Sequence, residues 1–241
     1  MKVVKLFLAF AATLLAVTNV YSQNVDEIID KYVNALGGID KINGIQSIYK
    51  ESDIEVMGNT ATSVTYVINK KGYKMEMDFN GSKIIQCITD KGGWGINPMM
   101  GQTSPEALPD DQVKSSQALL DVSGPLVDYL SKGNTVTFSG MEDVNGKSAY
   151  KLNVLTKESI NITVFIDSAS YYVVKTVSRA TVSGQAVETT TTYSNFQKTD
   201  YGYVVPLTQE LILPQGISMT MSDKKVEINK TIDPAIFEMP K

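Results

Sequence analysis

The chain has 241 residues, with 26 acidic against 22 basic side chains and a formal net charge of −4. This length suits one large domain or two small ones. The acidic balance argues against a nucleic-acid partner, because such partners require a basic surface that neutralises phosphates. The chain contains no histidine and a single cysteine. This excludes imidazole catalysis, histidine zinc ligands and an internal disulfide.

The first 22 residues have the three parts of a secretory signal peptide. Lys2 and Lys5 form a positive region, residues 6–17 are apolar, and Val20 and Ser22 suit a cleavage site. The mature chain is expected to begin at Gln23 and to be periplasmic. The apolar run is shorter than the roughly 20 residues that cross a bilayer, and no cysteine lies at the cleavage point. We therefore expect neither an integral membrane span nor a lipid anchor.

A helix is predicted over residues 24–36. Asn24 can cap its start, Asp26 and Glu27 suit its first turn, and the pair Gly37 and Gly38 ends it. Its apolar residues recur at helical spacing, so one face should pack against the rest of the fold: Val25, Ile28, Ile29, Tyr32, Val33 and Leu36.

Most of residues 45–230 is predicted to form one antiparallel sheet. The segment YKMEMDF places four apolar side chains on one face, Tyr73, Met75, Met77 and Phe79. INITVFID alternates in the same way. Asn80-Gly81 and Asn145-Gly146 are two-residue hairpin signals. Met75 and Met77 either fill an irregular core or form the wall of a cavity, since methionine adapts to varied shapes.

The segment GGWGINPMMG, residues 92–101, is apolar and uncharged. Its four glycines and Pro98 disfavour a helix, so it should be a loop or a broken strand. Trp94, Met99 and Met100 are then either packed in a core or exposed at a binding site. We favour the second alternative, in which all three line the mouth of a cavity on a mobile loop.

Two short helices are predicted within residues 109–131, starting at Pro109 and Pro125, before Gly133 ends the segment. They would interrupt the sheet and turn apolar side chains toward it: Val113, Leu119, Leu120, Leu126, Tyr129 and Leu130. The pair Asp110 and Asp111 fits the first turn of a helix. Cys87, in an apolar strand without a histidine to activate it, is interpreted as a buried structural residue. No catalytic residue, metal site or cofactor is predicted.

A sheet of about ten strands can close on itself, or it can curve and bury its concave face under the helices. The second arrangement accounts for the helices. The predicted fold is therefore mainly β with a few helices (α+β), in which helices cover the concave face of a curved antiparallel sheet. Residues 23–241 are expected to be a single domain.

Three segments carry a resemblance to a known family. The first helix VDEIIDKYVNALGG, the WGINPMMG segment before paired helices, and the closing TIDPAIFEMP are similar to those of the LolA/LolB outer-membrane lipoprotein carrier superfamily. The likeness is greatest to its lipoprotein-sorting-like members in Bacteroidetes, and it covers nearly all of the mature chain.

The resemblance implies a half-barrel around an apolar cavity, lidded by helices, that binds acyl chains of lipoproteins or related lipids. The cavity residues would be Met75, Met77, Trp94, Met99, Met100, Leu120, Leu126, Tyr129 and Leu130. Envelope transport proteins would be further partners. The chain departs from the best-known carriers, which hold the lid with an early-strand arginine, because its one arginine is Arg179. The alternative is a non-enzymatic interaction or sensor module with the same fold.

Overall fold

The structure is a computed structural model, and it describes residues 25–182, 185–213 and 216–240. The predicted signal peptide, residues 1–22, lies outside the described residues. None of the described helices is long and apolar enough to cross a membrane.

Within the described residues, thirteen antiparallel strands form one sheet, which confirms the predicted fold class. The strands are β1 Ser47–Val56, β2 Asn59–Ile68, β3 Gly72–Phe79, β4 Ser82–Thr89, β5 Gly92–Asn97, β6 Gln102–Ala107, β7 Thr135–Val144, β8 Lys147–Leu155, β9 Asn161–Asp167, β10 Val173–Val182, β11 Gln185–Lys198, β12 Val204–Ile212 and β13 Ser218–Ile228. Asn80-Gly81 and Asn145-Gly146 form hairpin turns with positive φ at both residues, as the predicted two-residue turns require.

The strand order joins the two ends of the described chain in the middle of the sheet. It runs β6-β5-β4-β3-β2-β1-β13-β12-β11-β10-β9-β8-β7, so β1 pairs with β13 while β6 and β7 form the two edges. Residues 108–134 therefore connect one edge of the sheet to the other.

The part of the chain that the structure describes contains three α-helices: α1 Val25–Ala35, α2 Ile39–Asn43 and α3 Asp110–Ser116. Short 3-10 helices cover Pro98–Met100, Gln117–Leu120 and Pro234–Phe237. α1 confirms the first predicted helix, and α3 begins directly after Pro109 as predicted.

The predicted helix start at Pro125 is wrong, because residues 122–133 form consecutive turns. Gly124 and Asp128 have φ values of +71° and +51°, which a right-handed helix does not accommodate. The turns are held instead by Asn134, whose Nδ2 donates to the Pro125 carbonyl at 3.0 Å. Lys132 Nζ adds an ion pair to Asp121 at 2.6 Å.

The sheet is strongly curved. α3 contacts both β5 and β10, which are second and tenth in the strand order. Eight strand spacings cover roughly 38 Å in a flat sheet, whereas α3, with 7 residues, is only about 10 Å long. The sheet must therefore curl around α3, and with β6 and β7 as edges among the described strands it is an open half-barrel.

The inner face is the concave face, on which α1 lies. Ile28 and Ile29 of α1 pack with Leu126 against β7–β9, where Leu152 and Val164 are buried. Following the strand pairs across the sheet places Met75 and Met77 of β3 and Met219 and Met221 of β13 on this same face. The outer face is the opposite, convex one.

Candidate ligand-binding groove

The inner face of β1–β5 and β13 carries half-buried as well as buried side chains, and we call this surface the inner groove. Four methionines on its walls are only half-buried: Met75, Met77, Met219 and Met221. Tyr73 on the same face is half-buried as well, yet desolvation raises its pKa to about 12. An apolar wall that is deep in the molecule and still accessible is suited to an apolar ligand.

One cavity of about 560 Å³ lies between β3–β6 and α3, and we call it the α3 cavity. Met75, Ile84 and Leu108 supply apolar surface, and Met100 lies at its exposed side. Its volume falls in the range of about 300–1,000 Å³ that is typical of ligand pockets.

The position of Leu108, which lines the α3 cavity, accounts for two of the glycines in GGWG. A Cβ at Gly93 would lie 3.1 Å from Leu108 Cδ1, and one at Gly95 would lie 3.5 Å from Leu108 Cδ2. Both would also approach a backbone carbonyl oxygen at 2.9 Å. Glycine at these inner-face positions lets the Leu108 side chain rest on the backbone of β5.

A second cavity of about 240 Å³ lies beside α1, under the turns at 121–126, and we call it the α1 cavity. It is walled by aromatic side chains, among them Tyr32, Tyr193, Phe196 and Tyr203. Burial raises the pKa values of Tyr32 and Tyr193, and together with the charge of Asp121 it raises that of Tyr203 to about 12. These phenols therefore stay neutral at physiological pH, which keeps the α1 cavity uncharged on this wall.

A polar seam crosses the floor of the inner groove where β13, β1 and β2 meet. Asp223 accepts from Lys50 Nζ at 2.7 Å and from Ser52 Oγ at 2.7 Å. Ser63 lies directly opposite Ser52 on β2, and its buried hydroxyl has no hydrogen-bond partner among the described residues. The methionine pairs of β3 and β13 flank this seam on either side.

The prediction that Trp94 lies at the mouth of the cavity is wrong. Trp94 is 4 % exposed, on the outer face, where it packs with Cys87 and Phe237. Its Nε1 donates to the Phe237 carbonyl at 2.9 Å. GGWGIN forms a strand, and strand alternation turns Trp94 away from the groove while Gly93 and Gly95 face it.

The other predicted site residues fall into four places. Met75, Met77 and Met100 belong to the inner groove or the α3 cavity, whereas Met99 is 66 % exposed beside it. Leu126 is buried and borders the α1 cavity, and Leu120 is buried where its 3-10 helix contacts β3 and β4. Tyr129 and Leu130 line a separate crevice of about 450 Å³ on the outer side of α1.

Sequence reasoning missed the aromatic wall of the α1 cavity and the polar seam. Tyr193 and Phe196 lie on β11 and Tyr203 directly precedes β12. Only the β13–β1 pairing brings those strands into the same sheet as β3. Asn195 between them has a φ of +54°, so the usual alternation does not hold there. To predict that Ser52 and Ser63 lie opposite each other, one needs the register of β1 and β2. A hairpin turn recognised at Met57-Gly58 would have given that register.

The cysteine, the aspartate pair and the arginine that the sequence analysis singled out are accounted for by packing, helix geometry and ion pairing. Cys87 Sγ contacts the Phe237 carbonyl at 3.4 Å, and burial raises the pKa of this thiol to about 11. Asp110 and Asp111 occupy the first turn of α3. Arg179 forms an exposed ion pair with Glu188 at 2.6 Å. Among the described residues, no group of three or more acidic or cysteine side chains is arranged to hold a metal ion.

No protein-family model matches the chain, and no curated protein matches it. Solved structures do match in fold. A DUF1329 family protein from Desulfovibrio piger aligns with a TM-score of 0.60 at 15 % identity, covering 90 % of this chain and 98 % of that one. A domain from Vibrio parahaemolyticus described as an outer membrane lipoprotein-sorting protein aligns at 0.58 and 13 % identity, covering 89 % and 97 %.

A LolA superfamily protein from Nitrosomonas europaea aligns with a TM-score of 0.55 at 12 % identity, covering 85 % of this chain and 96 % of the other. These alignments extend over almost the full length of each neighbour, so the likeness concerns the whole half-barrel with its helices. The chain has the LolA/LolB-like fold.

Proposed function

We propose that this protein is a carrier that binds the acyl chain of a lipoprotein or related lipid in the inner groove. The observation that carries the proposal is the set of half-buried methionines on two separate strands of the inner face, together with the cavities of about 560 and 240 Å³ on the same side of the sheet. The fold shared with a lipoprotein-sorting domain supports the same function.

The energetics of acyl binding are favourable. Each methylene removed from water contributes about 0.8 kcal/mol, so a long chain gains on the order of 10 kcal/mol. Association and ordering subtract several kcal/mol, which leaves micromolar or tighter binding. Methionine walls adapt to chains of different shape because the thioether side chain is flexible.

The carrier would act in the periplasm without chemical turnover. Residues 1–22 would be removed as a signal peptide, and residues 23–241 would act as one domain that exchanges its ligand with envelope transport proteins. The aromatic and methionine surfaces of the groove offer contacts to alkyl chains and no group that is activated for attack.

Native mass spectrometry of the protein purified from its own cell envelope tests the proposal. We expect a polypeptide mass that starts at Gln23, together with a co-purifying acylated molecule that is released on collisional activation. A mature chain that carries no lipid across gentle preparations would argue against the carrier.

A pair of methionine variants tests the position of the ligand. Met75→Gln places a polar group on the groove wall, and we expect about fivefold weaker binding of an acylated fluorescent probe, the effect of roughly 1 kcal/mol of lost apolar contact. Met239→Gln is the matched control, since Met239 is 50 % exposed and follows the outer-face residue Phe237. If both variants weakened binding equally, the ligand would not bind in the inner groove.

A second candidate is a non-enzymatic interaction or sensor module. The crevice beside α1 favours it, because Leu130 is 74 % exposed and Ile39 is 39 % exposed there, next to Asp26 and Asp30. Such a mixed apolar and acidic surface suits a protein partner. An envelope preparation without lipid that retains a bound protein would favour this module over the carrier.

A further inference from the structure

A further cavity of about 540 Å³ is lined by residues from three separate parts of the chain, and we call it the lysine cavity. Lys70 comes from the β2–β3 turn, Lys114 from α3 and Lys157 from the β8–β9 turn. These two turns are far apart in the sheet, since β2 is fifth and β9 is eleventh in the strand order. Only the curvature of the half-barrel brings them to one cavity.

The lining of the lysine cavity is positively charged, although the whole chain has a net charge of −4. Its two acidic residues, Asp121 and Glu158, face an excess of lysines: Lys70, Lys114, Lys132 and Lys157. The lining therefore carries an excess of two positive charges. Like charges gathered around one space repel each other, and an anion placed between them removes that repulsion.

Three of the four ammonium groups are available to such an anion. Lys132 Nζ is fully used, because it donates to Asp121, to Ser123 and to the Gly124 carbonyl at 2.6, 2.7 and 2.6 Å. The other three side chains are exposed, and within the described ranges their ammonium groups have no ion pair or hydrogen bond: Lys70, Lys114 and Lys157.

The uncharged part of the lining can hold an organic group beside the anion. Thr156 Oγ1 accepts from the Ile160 amide at 3.2 Å, which leaves its hydroxyl proton to be donated to a ligand. Pro125, Ile160 and Ile162 add apolar surface to the same cavity. A small ester thus finds a hydroxyl donor and apolar contacts next to the free lysines.

We propose that the lysine cavity binds the phosphate group of a phosphate monoester. Such a group carries about −1.5 to −2 charges near neutral pH, which matches the excess of two positive charges in the lining. Three ammonium groups from separate elements can approach a tetrahedral anion from different sides, whereas a carboxylate accepts hydrogen bonds close to one plane. None of the four groove methionines lines this cavity, so the inference does not depend on the carrier function.

The first test is a calorimetric titration of the mature protein with methyl phosphate, at low salt and about pH 7.5. We expect the double variant Lys114→Gln/Lys157→Gln to bind at least about tenfold more weakly, because two of the three free ammonium groups are gone. Acetate should also bind the unmodified protein about tenfold more weakly than methyl phosphate.

The matched control removes the same charge elsewhere. Lys83 and Lys147 are exposed lysines that follow the two Asn-Gly turns and do not line the lysine cavity. Lys83→Gln/Lys147→Gln should change the affinity for methyl phosphate less than about twofold, since exposed charges at a distance are screened. No binding of methyl phosphate, or equal losses in the two double variants, would overturn the proposal.

The second test identifies the source of the phosphate. Co-sedimentation is measured with vesicles of phosphatidylcholine, with and without phosphatidic acid, whose head group is a phosphate monoester. Sedimentation that requires phosphatidic acid and is lost in Lys114→Gln/Lys157→Gln would assign the site to a lipid head group. If methyl phosphate binds but the vesicles do not, or if the variant sediments equally well, the site is assigned to a soluble phosphate ester.

Discussion

The two faces of strands β3–β5 differ in packing although they share one backbone. On the outer face, Trp94, Cys87 and Phe237 are 4 %, 0 % and 7 % exposed. On the inner face, Ile88 is fully buried, but Gly93 has no side chain and Met75 remains half-buried. Side chains alternate along a strand, so a shift of one residue would exchange the two environments. An apolar segment thus does not identify a binding surface until the face of each residue is known.

The C-terminal segment accounts for the dense packing of the outer face. The 3-10 helix Pro234–Phe237 contacts β3 and β4, and the Phe237 ring lies over Gly72, where a Cβ would come within 2.8 Å. Asp233 caps this helix by accepting from the Ala235 amide at 3.0 Å. The inner face of the same strands has α3 and Leu108 as its cover, with a cavity between them.

Because the outer face of β3–β5 is the more densely packed, we expect the largest loss of stability from a substitution at Trp94. Trp94→Ala should lower the free energy of unfolding by about 3–5 kcal/mol, the cost of truncating a buried tryptophan. Acyl binding at a temperature where the variant is folded should be unchanged. Urea unfolding followed by circular dichroism measures the first quantity.

The matched inner-face variant is Met77→Ala, for which we expect a loss of about 1 kcal/mol because the side chain is half-buried. Equal losses of unfolding free energy in Trp94→Ala and Met77→Ala would show that the two faces are packed equally well. Weaker acyl binding by Trp94→Ala would show that Trp94 contributes to the ligand site after all.

A smaller effect is expected where Phe237 meets β3. Gly72→Ala would push a methyl group into the ring, and we expect a loss of about 1–3 kcal/mol from overpacking. In a Phe237→Ala background the same substitution should cost less than about 0.5 kcal/mol. A double-mutant cycle from urea unfolding provides both values, and additive effects would contradict the close contact.

The smallest effect concerns the protonation of Cys87. Burial raises the pKa of this thiol from its ordinary value of 9.0 to about 11, with the Lys74 charge opposing the shift. The folded state therefore binds the proton more tightly than the unfolded state does. This contribution to stability is complete below 9.0 and is lost as the pH rises toward 11.

Thiol labelling checks the same residue directly. At about pH 8 the native Cys87 should not react with iodoacetamide, since only the thiolate is nucleophilic and the side chain is 0 % exposed. Denatured protein should react fully. Labelling of the native protein at the denatured rate would show that the outer-face cluster opens readily.

Local features of the fold could be predicted from the sequence. The periodicity of α1, its glycine stop and the Asn-Gly turns are determined by neighbouring residues, and the structure confirms them. The alternation of Met75 and Met77 with charged residues likewise fixes them on one face of β3. The helix start predicted at Pro125 was wrong because proline suits turns as well as helix starts, and Asp128 is a residue type that tolerates positive φ.

Features that depend on distant residues could not be predicted. Trp94 is buried because Phe237, 143 residues later, covers it. The inner groove gains its second methionine pair because Ile54 pairs with Met221 across the β1–β13 junction. Neither contact follows from periodicity, since alternation separates the two faces of a strand without saying which face is covered.

The pairing of β1 with β13 also bears on how the chain reaches its native state. Ile48 and Ile228 are neighbours in the sheet, so the middle of the half-barrel forms only after nearly the whole polypeptide is available. Contacts of such long sequence separation slow folding, because loop-closure entropy is lost before they contribute. The hairpins on either side can assemble independently, but each half-sheet keeps a bare central edge until the two strands meet. A chain arranged in this way completes its sheet only when its last strand is present.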